Sequence, residues 1–154
     1  MALEVGDPAP DFELRDQHGA THALSSYRGH VVVVMFYPFA FSGVCTGELC
    51  EVRDQLPAFQ SDDVQLLAVS CDPVFTLRAF ADRDDLDFPL LSDFWPHGEV
   101  ATAYDVFNRD RGCAERATFI VDRDGVLRWS VRNAMPEARD LAEQVRVLDD
   151  LRAT

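Results

Sequence analysis

Lysine is missing from this sequence: all 14 basic residues are arginine, and they face 27 aspartate and glutamate residues. The formal net charge is therefore −13. A surface this acidic repels the phosphate backbones of nucleic acids. We therefore expect no nucleic-acid partner.

Long hydrophobic segments are also missing. The longest apolar run, Val31–Tyr37, is far shorter than the roughly 20 residues that cross a bilayer. The N-terminal residues Met1-Ala2-Leu3-Glu4 lack the basic region and apolar stretch of a secretory signal. We therefore expect a cytoplasmic protein that does not contact membranes.

Several binding motifs are absent as well. No Cys-x-x-Cys occurs, which argues against a thioredoxin-type disulfide exchanger, and there is no glycine-rich phosphate loop. The four histidines are scattered without metal-ligand spacing. We expect neither a cofactor nor a metal. The four cysteines do not suggest a disulfide framework, which belongs to small secreted domains, so we expect buried or chemically active thiols.

What is present is a regular alternation of strand and helix patterns, expected to form one domain over residues 1–154. The order of patterns predicts an α/β fold, with helices on both faces of a central sheet. The predicted elements are an N-terminal hairpin beginning at Asp11–Arg15, strands over Val31–Tyr37 and Val64–Ser70, helices over Gly43–Gln60, Pro73–Arg83 and His97–Tyr104, a hairpin of Ala117–Val121 and Val126–Val131, and a last helix over Glu137–Leu151.

One cysteine lies where such a fold usually carries chemistry. The buried strand Val31–Tyr37 leads through a short loop to Cys45, at the start of the next helix. Unpaired backbone N–H groups and the positive end of the helix dipole favour the thiolate, which is the reactive form of cysteine. Loops at the carboxyl ends of strands are the usual place for active sites in α/β sheets. Cys45 is therefore the candidate nucleophile.

The spacing Pro38-x-x-x-Ser42-x-x-Cys45 resembles the active-site motif of the peroxiredoxins. The resemblance covers nearly the whole chain and implies a thioredoxin-like fold with a central mixed sheet. Its other parts are Gly6–Phe12, Arg116–Asp122 and Leu91–Gly98, and the last of these resembles the alkyl hydroperoxide reductase E-type, one-cysteine branch.

The resemblance implies that the chain is a peroxidase acting on hydrogen peroxide, organic hydroperoxides or peroxynitrite. Cys45 attacks the terminal peroxide oxygen and becomes a sulfenic acid. Arg116 matches the family arginine that holds the thiolate, and Ser42 is a candidate hydrogen-bond donor to the peroxide oxygens. Pro38 is expected to provide a rigid apolar wall. Glu48 matches a position where the family often has Glu or Gln, and its expected role is to hold Arg116.

Cys50 leaves the regeneration of the enzyme open. It follows Cys45 by five residues, the spacing of peroxidatic and resolving cysteines in the peroxiredoxin Q branch. On an intact helix this spacing means ~140° of rotation and ~7.5 Å of rise. The two Cα atoms then lie beyond the ~7 Å limit for an unstrained disulfide, so a bond requires local unwinding of the helix. The alternative is a small, buried apolar residue on the inner helix face.

The remaining cysteines have weaker functional interpretations. Cys71 ends the buried strand Val64–Ser70 and is expected to be a packed thiol. Cys113 follows the polar stretch of residues 108–112 and is expected to be exposed. There it resolves the sulfenic acid of a neighbouring subunit, forms a mixed disulfide, or has no role.

Two cycles and two classes of function therefore remain open. Either an outside thiol reduces oxidised Cys45 directly, or a Cys45–Cys50 disulfide forms first. The reductant is expected to be thioredoxin, or a glutaredoxin-like protein with a low-molecular-weight thiol. The alternative function is a redox relay or holdase that signals through Cys45 oxidation. For the apolar stretch Phe94-Trp95-Pro96, the resemblance favours an interface in a homodimer or higher homo-oligomer.

Overall fold

A seven-stranded mixed sheet forms the centre of the protein in the computed structural model, which describes residues 3–134 and 139–153. Two further short strands pair with each other in a separate ribbon. The strands are β1 (Glu13–Arg15), β2 (Thr21–Ala23), β3 (Val31–Phe36), β4 (Val64–Ser70), β5 (Leu90–Ser92), β6 (Phe107–Asn108), β7 (Cys113–Ala114), β8 (Arg116–Val121) and β9 (Leu127–Asn133). The order in the main sheet is β2-β1-β5-β4-β3-β8-β9, and β6 pairs with β7.

Strand β3 lies inside the sheet, parallel to β4 and antiparallel to β8. All six of its residues are buried. Val33 and Met35 join the hydrophobic core on one face, whereas Val34 and Phe36 join the core on the other. Burial on both faces explains why this strand is a continuous apolar run.

The helices cover the two faces unequally. Residues of the long helices α1 (Gly43–Asp54), α3 (Val74–Asp84) and α5 (Leu141–Arg152) pack in one core. Residues of the short helix α4 (Glu99–Ala103) pack in the other. The predicted α/β sheet with helices on both faces is therefore confirmed. No helix in the described part of the chain is long and apolar enough to cross a membrane. The helices are α1 (Gly43–Asp54), α2 (Leu56–Phe59), α3 (Val74–Asp84), α4 (Glu99–Ala103) and α5 (Leu141–Arg152), with a 3₁₀ turn over Leu24–Tyr27.

The single helix predicted over Gly43–Gln60 is wrong, because the structure divides it into α1 and α2. Gln55 leaves the helical region with φ −115° and ψ 23°, and Pro57 stands in the first turn of α2. Proline has no N–H to donate to the carbonyl four residues earlier, so a continuous helix loses a bond there. The last helix begins at Leu141 after an Asp140 cap, and residues 137 and 138 of its predicted start lie outside the described residues.

The pairing of β3 with β8 creates the site described next. Phe36, the last residue of β3, is paired with Ala117 in β8. Arg116 therefore begins its strand beside the segment that leaves β3. That segment leads directly into α1 and Cys45, so the antiparallel register brings residues 45 and 116 together.

Candidate active site

Cys45 lies in the first turn of α1 and is fully buried. Both terminal nitrogens of the Arg116 guanidinium, Nη1 and Nη2, lie 3.5 Å from its Sγ atom. A planar guanidinium presents such paired donors in a fixed geometry and keeps its positive charge. The arrangement can therefore hold a negatively charged sulfur in place.

Glu48 pairs with this arginine and holds it in place. It lies three residues after Cys45, on the same face of α1, and its side chain is buried. Its Oε1 atom accepts a hydrogen bond from Nη1 of Arg116. The structure thus places Glu48 in the contact with Arg116 that was expected for it.

Arg139 is a site residue that the sequence did not reveal. Its buried Nε donates to Oε2 of Glu48 at 2.9 Å, and its backbone N–H donates to the same oxygen at 2.9 Å. Its Nη2 donates to the carbonyl oxygen of Phe36 at 2.7 Å, and its Nη1 donates to Oγ1 of Thr118 at 2.9 Å. Burial lowers the pKa of Arg139, and the adjacent Glu48 opposes that shift. Arg139 therefore ties α1 to both central strands.

The buried cluster around Cys45 contains groups of both charges. Two guanidinium groups, from Arg116 and Arg139, face the Glu48 carboxylate and the Cys45 sulfur. Buried charges are tolerated when they are paired and hydrogen-bonded. Loss of the negative charge from Cys45 removes one of the negative groups that Arg116 faces.

A cavity of about 320 Å³ lies beside the site, and Arg116 and the segment just before Cys45 line it. Pro38 is buried, whereas Phe39 is exposed at the rim. Ser42 precedes α1, yet its side chain makes no capping hydrogen bond to the helix, which the structure describes in full. Its hydroxyl can therefore donate into the cavity. The lining residues are Pro38, Phe39, Ser42, Gly43, Val44, Arg111 and Arg116.

The loop between β3 and α1 is fixed by the neighbouring strand. The N–H of Ala40 donates to Oδ2 of Asp72 at 2.8 Å, and the hydroxyl of Ser70 donates to the same oxygen at 2.7 Å. Phe41 adopts a φ of 68° and packs against Phe80, with ring centroids 5.1 Å apart. These contacts hold Ser42 and the start of α1 over the end of β4.

One of the other three cysteines is half-buried and two are buried. Cys50 is half-buried on α1 and lies within electrostatic range of Arg53 and Arg83. Cys71 is buried, which confirms the prediction of a packed thiol, and burial raises its pKa to about 12. Cys113 is also buried, so the prediction of an exposed thiol is wrong.

The reason for the burial of Cys113 is its backbone pairing. It lies in β7 opposite Asn108 of β6, and this ribbon turns its side chain into the protein. The polar residues before it made the sequence look like a solvent-exposed loop. The short ribbon is created by this pairing and has no hydrophobic alternation that would reveal it.

Comparison with known proteins shows the family to which the chain belongs. The AhpC/TSA family matches residues 5–130. Alkyl hydroperoxide reductase E of Mycobacterium tuberculosis is 49% identical over 139 residues, which are 90% of this chain and 91% of that protein. Peroxiredoxin Bcp of Bacillus subtilis is 34% identical over 157 residues, covering 98% of each chain. The structure of Enterococcus faecalis AhpC aligns with a TM-score of 0.87 at 29% identity, covering 97% of this chain and 92% of that one.

The fold and the relatives together define a thiol peroxidase, an oxidoreductase with a thioredoxin-like fold. The chain belongs to the AhpC/TSA family, the peroxiredoxins. The resemblance in the motif around Cys45 is therefore part of a likeness that extends over most of the chain.

Proposed function

We propose that Cys45 is the peroxidatic nucleophile and that Arg116 and Ser42 serve its reaction. The observation that supports this most strongly is the pair of Arg116 nitrogens 3.5 Å from the buried sulfur. The thiolate attacks the terminal peroxide oxygen and the O–O bond breaks. The sulfur is oxidised to sulfenic acid, and the departing oxygen takes a proton and leaves as water or an alcohol.

Charge develops on both peroxide oxygens during this attack, so fixed donors aimed at them lower the barrier. The Arg116 guanidinium, the Ser42 hydroxyl and the backbone N–H of Cys45 are those donors. Pro38 closes one wall of the cavity and limits water around the new sulfenic acid. Glu48 and Arg139 act as positioning residues, because they contact Arg116 and the strands rather than the substrate.

The proposed substrates are hydrogen peroxide and organic hydroperoxides, with peroxynitrite as a further substrate. Phe39 and Val44 form an apolar part of the cavity, which suits a substituent on the peroxide. The name of the mycobacterial relative, alkyl hydroperoxide reductase E, supports the same class of substrate.

We propose that Cys50 regenerates Cys45 through a disulfide that thioredoxin then reduces. In the intact helix α1 the two Cα atoms are separated by roughly 8–9 Å, too far for a disulfide. Oxidation removes the negative charge that Arg116 holds, and the first turn of α1 is then free to open. The Cys50 thiol displaces the sulfenic oxygen as water and forms the S–S bond. The half-exposed position of Cys50 suits attack by a reductant.

Single substitutions at the two cysteines test the proposal. We expect Cys45→Ser to abolish peroxide consumption, because the substitution removes the thiol that both Arg116 nitrogens contact. Cys50→Ser should retain the first turnover but lose turnover driven by thioredoxin. Full peroxide consumption by Cys45→Ser would contradict the proposed nucleophile.

Intact-mass analysis after one equivalent of peroxide tests the resolving step in the same proteins. The wild type should lose two hydrogens and yield linked peptides containing Cys45 and Cys50. Cys50→Ser should instead gain one oxygen. A wild type that keeps the added oxygen favours the other cycle, in which a glutaredoxin-like protein with a low-molecular-weight thiol reduces Cys45 directly.

A single domain, a cytoplasmic location and a homodimer or higher homo-oligomer remain predictions. The exposure of Phe94 (46%) and Trp95 (81%) supports assembly, because large apolar side chains grouped on a surface favour association. The same surface suits the alternative of a redox relay or holdase. Slow peroxide turnover with stable mixed disulfides at Cys45 would favour that alternative.

A further inference from the structure

A second arginine, besides Arg116, lines the cavity beside the site. Arg111 lies in the loop between β6 and β7 and borders the same cavity as Ser42 and Arg116. Unlike Arg116 it is exposed, so its charge is available at the mouth of the site. The catalytic steps proposed above give this residue no role.

The backbone around Arg111 is anchored. Its N–H donates to Oδ1 of Asn108 at 3.0 Å, and the N–H of Gly112 donates to the Asn108 carbonyl at 2.9 Å. The ring of His97 is hydrogen-bonded through Nε2 to the Gly112 carbonyl oxygen at 2.7 Å. These hydrogen bonds fix the backbone of the loop that carries Arg111.

The side chain of Arg111 has no carboxylate partner in residues 3–134 and 139–153, where the ion pairs involve other arginines and His22. This is notable in a chain with 27 acidic residues. An unneutralised guanidinium at a cavity mouth attracts anions, whereas most of this acidic surface repels them.

The electrostatic contacts of Cys113 locate that charge relative to the reactive sulfur. Burial raises the pKa of the Cys113 thiol, the Arg111 guanidinium opposes the shift, and the negative charge of Cys45 adds to it. Arg111 and Cys45 therefore both lie within electrostatic range of the same buried atom. The cavity consequently has one positive charge beside the sulfur and a second at its rim.

We propose that Arg111 selects organic hydroperoxides that carry a carboxylate. The hydroperoxide group reaches Cys45, the apolar chain contacts Phe39 and Val44, and the carboxylate pairs with Arg111 at the rim. The bond changes at the sulfur are those already given, so Arg111 affects capture of the substrate rather than the chemistry. This inference rests on the proposed peroxidase function.

The test compares an aliphatic hydroperoxide that ends in a carboxylate with its methyl ester. Stopped-flow fluorescence gives the second-order rate constant of Cys45 oxidation for each probe. We expect Arg111→Ala to lower the acid-to-ester ratio of rate constants by a factor of about two to five, the upper part of the range for one exposed ion pair. Arg111→Glu should lower it further. The wild-type ratio should also fall when salt shortens the screening length from about 30 Å to about 3 Å.

Arg109→Ala is the matched control, because Arg109 is an exposed arginine of the same loop that does not line the cavity. It should keep the wild-type ratio. The inference is overturned if Arg111→Ala slows acid and ester equally, or if Arg109→Ala lowers the ratio as much as Arg111→Ala does. Retained peroxide reduction in Cys45→Ser would instead contradict the proposed function, so the two failures are distinguishable.

Discussion

The two faces of helix α1 hold thiols in opposite environments. Cys45 and Glu48 face inward, where Arg116 and Arg139 surround them and water is excluded. Cys50 lies half-buried on the same helix, with Arg53 nearby. The two sulfurs are separated by five residues, yet only the inner one contacts a buried guanidinium.

This difference shows that the position of a residue around the helix axis decides which environment its side chain enters. The inner face supplies a buried site of paired charges in which electrostatic interactions are strong, because the local dielectric is low. On the outer side, Arg83 pairs with Asp84 and lies over the ring of Phe41 at 4.7 Å. Solvent screens the charges there, so that face is suited to exchange with partners rather than to peroxide chemistry.

The largest expected effect comes from removing the carboxylate of the inner face. Glu48→Gln removes the buried carboxylate that pairs with both Arg116 and Arg139. Breaking a buried ion pair in this way costs ~3–5 kcal/mol, so the free energy of unfolding should fall by that amount. Urea denaturation measures it.

Glu51→Gln provides the control for this substitution, because Glu51 is exposed on the same helix. Its effect should stay within ~0.5 kcal/mol. Equal losses in the two variants would show that the inner and outer faces do not differ in the way described.

A smaller effect is expected from Arg116→Lys, which keeps the positive charge and removes the paired donors of the guanidinium. A lysine directs one nitrogen where Arg116 places two near Sγ, so a donor to sulfur and peroxide is lost. Loss of one such donor typically slows chemistry by a factor of about 10²–10³. Stopped-flow oxidation by hydrogen peroxide measures this. Arg128→Lys is the control, because Arg128 pairs with Asp122 outside the site, and it should react like the wild type. An Arg116→Lys rate near that of the wild type would show that the two donors of the guanidinium are not needed.

The smallest effect concerns thiol labelling, which leaves the fold unchanged. The pKa of Cys71 is raised to about 12 by burial, so its thiol form persists until the pH approaches that value. At pH 8 only about 10⁻⁴ of it is thiolate, the form that reacts with iodoacetamide. Cys113 is shielded by burial as well. Peptide mass spectrometry should therefore find Cys50 alkylated in the native protein and Cys71 unmodified.

Denaturant provides the comparison for this labelling experiment. In guanidinium chloride the pKa shift and the shielding both disappear, so Cys71, Cys113 and Cys50 should be alkylated at similar rates. Labelling of native Cys71 as fast as Cys50 would show that burial does not separate these thiols.

Much of the fold could be predicted because it depends on local pattern. The strand predicted over Val64–Ser70 has the same bounds in the structure, since a run of buried residues between turn residues is short and distinctive. The helix predicted over Gly43–Gln60 failed at Pro57, where apolar spacing continued although the hydrogen-bond ladder did not. Periodicity reports which face is apolar, and it does not report whether each N–H has an acceptor.

The sequence by itself determined the position of Cys45 after a buried strand and its spacing from Pro38 and Ser42, because neighbours along the chain set a helix start and its exposed N–H groups. Only the tertiary structure decided the partners. Arg139 meets Glu48 across 91 residues, and Arg111 reaches the cavity through the loop between β6 and β7. Contacts of this kind depend on strand register and on the packing of distant segments. No local pattern encodes them, because an isolated arginine looks the same in sequence whether it is buried or exposed.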